Sequence, residues 1–269
     1  MRLTLLGTGT SFGVPQIGCR CPVCSSGDPR DRRLRTAALV EGGKVRRSGS
    51  AGGDAVILID TPPELRLQLL SAGVTRIDAV LYTHEHADHV HGIDDLRALS
   101  RGRPLPLYAA EPTLAFLRES YRYIFDASVP EYAGTSKPHL SLNRMEAGRT
   151  VDVAGIPVLA LPFEHGPGTV LGFRFGPLAY ITDAKRVAAR ERELLQGLDV
   201  LVLNALWWRP HPTHLSIEEA IETARAIGAR RTILTHLTHE TGHADLAARL
   251  PKGIEPGYDG QVVEVTDAG

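Results

Sequence analysis

Three cysteines in 269 residues, all between positions 19 and 24, are too few and too close together to build a disulfide framework. An excess of charge of one sign is also missing. With 30 basic against 31 acidic residues the formal net charge is -1, which excludes a global pull toward nucleic acid or an anionic membrane but not a local basic patch. No apolar run approaches the ~20 residues of a membrane span. The opening Met1-Arg2-Leu3-Thr4-Leu5-Leu6-Gly7 reads as a strand rather than as a long apolar segment with a cleavage site, so a cytoplasmic protein is expected. Aromatic residues make up only 6%, whereas 43% of residues are hydrophobic, enough at this length for one domain spanning 1–269. No internal repeat is evident at a fixed period.

The chain does have a concentration of imidazole. Thr83-His84-Glu85-His86-Ala87-Asp88-His89 follows an apolar run and gathers His84, His86 and His89 with the carboxylate of Asp88. One histidine alone is usually just packed or hydrogen-bonded. At the end of a strand, however, this spacing aims His84 and His86 at one ion, while Asp88 and His89 on the following turn reach a second. Two adjacent cations suit hydrolysis.

The motif resembles the signature of the metallo-β-lactamase fold hydrolases. That resemblance implies further ligands, and they are found at the ends of apolar runs: His165 after Val158-Leu159-Ala160-Leu161-Pro162-Phe163, Asp183 after Ala179-Tyr180-Ile181-Thr182, and His236 after Thr232-Ile233-Leu234-Thr235. It implies that His84, His86 and His165 hold the first metal and Asp88, His89 and His236 the second, with Asp183 bridging both. It also implies an α/β fold, a four-layer αβ/βα sandwich with the metals at one edge. His/Asp ligation suits zinc, manganese or iron.

Cys19-Arg20-Cys21-Pro22-Val23-Cys24 places three thiolates close enough for a structural zinc, with a fourth ligand needed. His239, three residues past His236, is the candidate, so one loop would serve both sites. The other reading is a loop of reduced, redox-active thiols. Together with the turn Gly7-Thr8-Gly9-Thr10-Ser11-Phe12-Gly13-Val14-Pro15, the cysteines resemble the phosphoribosyl 1,2-cyclic phosphate phosphodiesterase branch of the fold, near the tRNase Z enzymes.

Ser216 and Glu219 form a capping box for a helix whose apolar face is Ile217, Ala220, Ile221, Ala224 and Ile227, stopped by Gly228. His214 lies just before it. In the resembled branch, a histidine here protonates the leaving group and the preceding strand supplies it with an acidic partner. This chain has Asn204 there, and an amide cannot stabilise an imidazolium as a carboxylate does. His91, His139, His211 and His243 are given no role. Asp60, ending the strand Val56-Ile57-Leu58-Ile59, either supports the His-rich loop or caps the next turn.

Residues 42–53 read as a flexible hairpin tip, and Thr113 to Tyr123 as a helix. The segment 111–145 is a candidate lid, although its Tyr121, Tyr123, Phe125 and Tyr132 are expected to pack rather than to stack on a substrate. Arg30, Arg32, Arg33 and Arg35 are interspersed with Asp28 and Asp31 and read as a solvated face.

The expected function is a dinuclear-metal phosphodiesterase that opens small, cyclic diesters with metal-bound hydroxide. His214 serves as general acid, with Asp183 and Asp88 at the reacting centre and two divalent ions, Zn or Mn, beside one structural Zn. The partners expected are a small phosphodiester substrate, with no membrane and with room for a homodimer. The alternatives are a tRNase Z-like RNA-processing nuclease and a non-catalytic zinc-stabilised RNA-binding protein.

Overall fold

The computed structural model describes residues 1–45, 53–130 and 134–266. In the first half of the chain, β1 (Arg2–Gly7), β2 (Ala37–Val45), β3 (Gly53–Ile59), β4 (Ala79–Leu81), β5 (Leu105–Ala109) and β6 (Leu140–Arg144) lie side by side in sequence order. Strand β14 (Val262–Glu264) returns to pair antiparallel with β1, making a 7-stranded sheet. The second 7-stranded sheet holds β7 (Thr150–Val153), β8 (Ile156–His165), β9 (Gly168–Phe175), β10 (Leu178–Ile181), β11 (Val200–Asn204), β12 (Arg231–Thr235) and β13 (Ile254–Pro256), again in sequence order.

Alternation along the strands dictates the layers. In β3, Ile57 and Ile59 enter the core between the sheets while Leu58 faces outward. In β11, Val200 and Val202 point inward, and Leu201 and Leu203 meet the helices on the far side. The outer layer over the first sheet includes α1 (Leu65–Ser71), α2 (Ala87–Val90), the 3-10 turn Ile93–Ala98, α3 (Glu111–Ser120) and α4 (Arg122–Phe125). Over the second sheet lie α5 (Ala189–Leu194), α6 (Ile217–Ile227) and α7 (His243–Arg249). The result is the four-layer α/β sandwich that the resemblance implied.

Helix α6 forms as its sequence reads. Ser216 Oγ accepts from the Glu219 amide at 3.1 Å, Glu219 Oε2 accepts from the Ser216 amide at 2.7 Å, and Gly228 ends the helix at φ 74°. The helix expected from Thr113 to Tyr123 instead breaks in two, because Tyr121 leaves helical geometry at φ -115°, ψ 45°. Tyr121 and Phe125 pack against the outer core, while exposed Tyr123 donates to Asp94 Oδ1 at 2.7 Å. Tyr132 lies outside the described residues, as does the 46–52 part of the expected hairpin tip. Residues on either side of that tip pair as antiparallel strands, Val45 opposite Gly53. The segment 111–145 contains α3, α4 and β6, the last paired with β5.

Strand direction gathers the site. β3 and β4 run parallel, as do β10, β11 and β12, and β8 shares the direction of β10 because both are antiparallel to β9. The carboxyl ends of β3 and β4 therefore share one edge of the first sheet, and those of β8, β10 and β12 share one edge of the second. Gly92, just after α2, lets the His-rich turn approach the end of β3. Its amide donates to Thr61 O at 2.8 Å, and a Cβ there would sit 2.2 Å from Pro62 O. Gly92→Ala is expected to cost at least the ~1–3 kcal/mol of overpacking, read as a lower urea midpoint of the chelated protein. An unchanged midpoint would contradict this close approach.

Candidate metal centre

Among the described residues, four that are not glycine have positive φ, and three are at these strand ends: Asp60 (62°), Asp183 (59°) and His236 (60°). Side chains at such positions cost free energy, on the order of 1–3 kcal/mol each, and persist where the surroundings hold them. Here the conformation turns each side chain out from its strand end toward the gap between the sheets.

Seven predicted residues converge there. His84 Nε2 lies 2.9 Å from His86 Nδ1, and His165 Nε2 lies 3.4 Å from the same nitrogen. A second trio is formed by Asp88, His89 and His236, with His89 Nε2 3.3 Å and His236 Nε2 3.9 Å from Asp88 Oδ2. Asp183 stands between the trios, its carboxylate within 4.8 Å of ligand atoms of His84 and of His165 as well. Its Oδ2 is 3.4 Å from His89 Nε2, and its Oδ1 is 3.1 Å from His236 Nε2 and 2.9 Å from His214 Nε2. Within each trio the ligand atoms lie within 4.8 Å of one another, close enough to hold a cation.

Hydrogen bonding supports the fit. His89 Nε2 and His236 Nε2 are buried without a hydrogen-bond partner although carboxylate oxygens face them, and ions between these groups would satisfy them. The fully buried carboxylate of Asp60 accepts from the Thr83 amide and hydroxyl, both at 2.9 Å, and from His89 Nδ1 at 2.7 Å. With its proton given to Asp60, the Thr83 hydroxyl accepts from His84 Nδ1 at 2.9 Å. His165 Nδ1 donates to Thr213 O at 3.1 Å. In all three histidines Nδ1 carries the proton and Nε2 is left to ligate. Asp60 thus supports the loop, the first of its two readings.

The charges of these side chains lean on one another. Burial disfavours the cation on His89 and His236, but the Asp183 and Asp88 carboxylates outweigh it, holding His89 well above the ordinary histidine range and His236 up to about 9. Burial also opposes ionisation of Asp183, and His236 and His89 overcome it, keeping that carboxyl well below its usual range. Burial dominates at His214, which falls to about 4 despite its hydrogen bond to Asp183.

Two expectations need amendment. Asn204 does not meet His214: its Oδ1 accepts from the Ala184 amide at 2.9 Å and its Nδ2 donates to Ala184 O at 3.0 Å, bracing the turn that carries Asp183. Nor do the arginines of 30–35 form a solvated face as a group. Arg30 pairs with Asp28 and Arg35 with Glu64, but Arg33 is fully buried. Its guanidinium donates to Thr238 O and, at 3.0 Å, to Thr241 O, and lies 3.5 Å from Asp31 Oδ1. Asp31 in turn accepts from the His243 amide at 2.6 Å. Through these bonds Arg33 straps down the loop carrying both His236 and His239; the arginine spacing reveals nothing of a tertiary partner about two hundred residues away.

On that loop, His239 Nδ1 lies 3.3, 3.3 and 3.4 Å from the Sγ atoms of Cys19, Cys21 and Cys24. A tetrahedral zinc holds sulfur and nitrogen roughly 3.5 Å apart, so these four donors fit one. The Cys24 amide donates to Cys21 Sγ at 3.4 Å and is the largest influence bringing that thiol down to about 6. The same loop pairs with the amino-terminal turn through Leu237 N to Thr8 O at 2.9 Å. From sequence, Thr83 and Thr213 take no role and Arg33 and Asp31 read only as part of a solvated face, since hydroxyl and backbone partners leave no spacing signal.

Residues 56–237 match the family described as the Beta-lactamase superfamily domain. A crystal structure of a diphosphatase from the PhnP family is 38% identical, covers 99% of this chain and 98% of its own, and superposes with a TM-score of 0.87. Zinc-bound PqqB from Methylobacterium extorquens, 21% identical over 98% of this chain and 100% of its own at a TM-score of 0.76, shares the fold. A Porphyromonas gingivalis protein named octanoyltransferase is 40% identical across 100% of this chain, which spans only 52% of that relative.

Two outcomes follow from the geometry. Asp60→Asn is expected to weaken metal binding about 10–100-fold in a chelator competition, by loosening the orientation of His89. Because a ligating imidazole must lose its proton, metal entering at pH 7 displaces the proton that His236 holds up to about 9. Apparent affinity therefore falls as pH falls. Calorimetric titrations in buffers of different ionisation enthalpy should record proton release, and equal heats would contradict it.

Proposed function

Because the chain belongs to the β-lactamase superfamily, as an enzyme of its metallo-hydrolase fold, we propose that it hydrolyses small phosphodiesters at a dinuclear centre held by His84, His86, Asp88, His89, His165, Asp183 and His236. The observation that carries this reading is the Asp183 carboxylate, within 4.8 Å of donor atoms from both trios and within hydrogen-bond distance of His214. The Cys19, Cys21, Cys24 and His239 cluster is assigned to a structural zinc. When bound, two divalent cations acidify a shared water and neutralise charge on the phosphoryl oxygens.

The chain's own residues do the rest. Asp60, Thr83 and the Thr213 carbonyl fix the ligating imidazoles in one tautomer, so little reorganisation accompanies the reaction. Asp183 and Asp88 supply the anionic oxygens that make two close cations tolerable. With Asp183 ionised, its 2.9 Å hydrogen bond requires the proton on His214 Nε2, the nitrogen that faces the site. Nε2–H then donates that proton to the departing oxygen. Burial lowers the affinity of His214 for its second proton to about 4 in the metal-free site, and an anionic phosphoryl group beside it would raise that value.

A phosphoanhydride is the second reading, favoured by the 38% identity with a PhnP-family diphosphatase across nearly the full length of both chains. Both substrates use the same donors and differ in the leaving group, an alkoxide or a phosphate. Octanoyl transfer is not carried over, because this chain spans about half of the relative that bears the name.

The test is turnover of bis-p-nitrophenyl phosphate, ribose cyclic phosphates, 2′,3′-cyclic nucleotides, nucleotide diphosphates, a pre-tRNA and an octanoyl thioester, after chelation and restoration of zinc or manganese. Small diesters are expected to be cleaved only with metal, and Asp183→Ala to abolish turnover. Preference for diphosphates selects the second reading, cleavage of pre-tRNA alone selects RNA processing, and no cleavage by metal-loaded enzyme contradicts the hydrolase. For esters with poor leaving groups, His214→Ala should lower kcat about 10²–10⁴-fold, with a smaller loss for p-nitrophenyl esters, whose leaving group departs unprotonated.

A further inference from the structure

His211 carries no role in the reading above, yet its ring is built into the site. Its centroid is 5.1 Å from that of His214, and its other neighbour is Trp207, edge-on at 5.2 Å. Trp207 is in turn covered by the Arg209 guanidinium at 3.8 Å. Three polar atoms meet between the two histidines: Thr213 Oγ1 is 2.8 Å from His214 Nδ1 and 3.2 Å from His211 Nδ1, and the two Nδ1 atoms are 3.2 Å apart.

In the doubly protonated form of His214, the form that gives up a proton, one assignment accounts for the contacts of Thr213. The Thr213 amide donates to His211 Nδ1 at 3.3 Å, so that nitrogen is an acceptor and the His211 proton sits on Nε2. The Thr213 hydroxyl then donates to His211 Nδ1 and accepts from His214 Nδ1–H. The second proton of His214 then sits on Nε2, which donates to Asp183 Oδ1 at 2.9 Å.

We propose that His211, acting through the Thr213 hydroxyl, is the positioning residue for His214, in the place of the acidic partner that Asn204 does not supply. This rests on His214 being the general acid. The relay holds a proton on His214 Nδ1, so the proton given to the leaving oxygen comes from Nε2, and the neutral ring left behind keeps its Nδ1–H bonded to Thr213. Thr213 ties the two halves together, since its carbonyl also orients His165.

The inference is tested with His211→Phe, which keeps a ring but removes the acceptor, His211→Asn, which restores one, and Thr213→Val, which removes only the hydroxyl. Metal content is measured for each, along with kcat on diesters of rising leaving-group pKa. In His211→Phe and Thr213→Val, two metals per chain should remain at the dinuclear site. Their kcat loss should climb from a few-fold for p-nitrophenol to about 30–100-fold for an alkoxide, and His211→Asn should recover most of it.

A uniform loss across leaving groups, or none, overturns the relay while His214→Ala still shows the leaving-group dependence. If His214→Ala shows no such dependence, the general-acid reading fails and takes the relay with it. Long-range proton–nitrogen NMR of histidine-labelled, metal-free protein gives a readout independent of turnover. His211 is expected as the Nε2–H tautomer, and an Nδ1–H tautomer overturns the assignment.

Discussion

The buried carboxylate of Asp183 is the constraint on which the rest of the site depends. It leaves β10 in a left-handed backbone conformation, receives His89 on one oxygen and His236 and His214 on the other, and has its turn clasped by Asn204. A carboxylate so deeply buried is costly unless positive charge compensates it. In the metal-free protein that charge comes from histidines held protonated, and in the loaded protein cations would replace those protons. One set of residues would thus have two electrostatically balanced states, exchanged by metal for protons.

Rigidity around this point is assembled from both sheets. The first contributes Asp60 and Thr83, which orient His89 and His84; the second contributes Thr213, which orients His165 and meets His214. Arg33 and the amino-terminal turn then fasten the loop of His236 and His239, so the cysteine cluster and the two trios of donors share one backbone support. The strap is internal to the protein: its donors are buried and its acceptors are main-chain carbonyls.

Much of this is legible in the sequence, and the parts that are not have a common cause. The convergence of donors at strand ends can be read because an apolar run followed by His or Asp encodes both the strand and its exit, as at His165, Asp183 and His236. Helix α6 can be read because Ser216, Glu219 and Gly228 encode its two ends locally. The break at Tyr121, the burial of Arg33 and the contact of His211 with His214 depend on tertiary partners. Asn204 shows the limit most plainly: its position on the strand suggested a partner for His214, whereas its amide turned to the Ala184 backbone instead. The direction in which a side chain leaves its strand decided its role.

The central claim is that Asp183 is shared by two cations while a third occupies the cysteine cluster. Anomalous diffraction from crystals of the full chain, grown separately with zinc and with manganese, tests it most directly. Two peaks flanking the Asp183 carboxylate and one among Cys19, Cys21, Cys24 and His239 are predicted. A single ion beside His84, His86 and His165, with Asp183 turned away and His236 still paired to a carboxylate, would contradict the account.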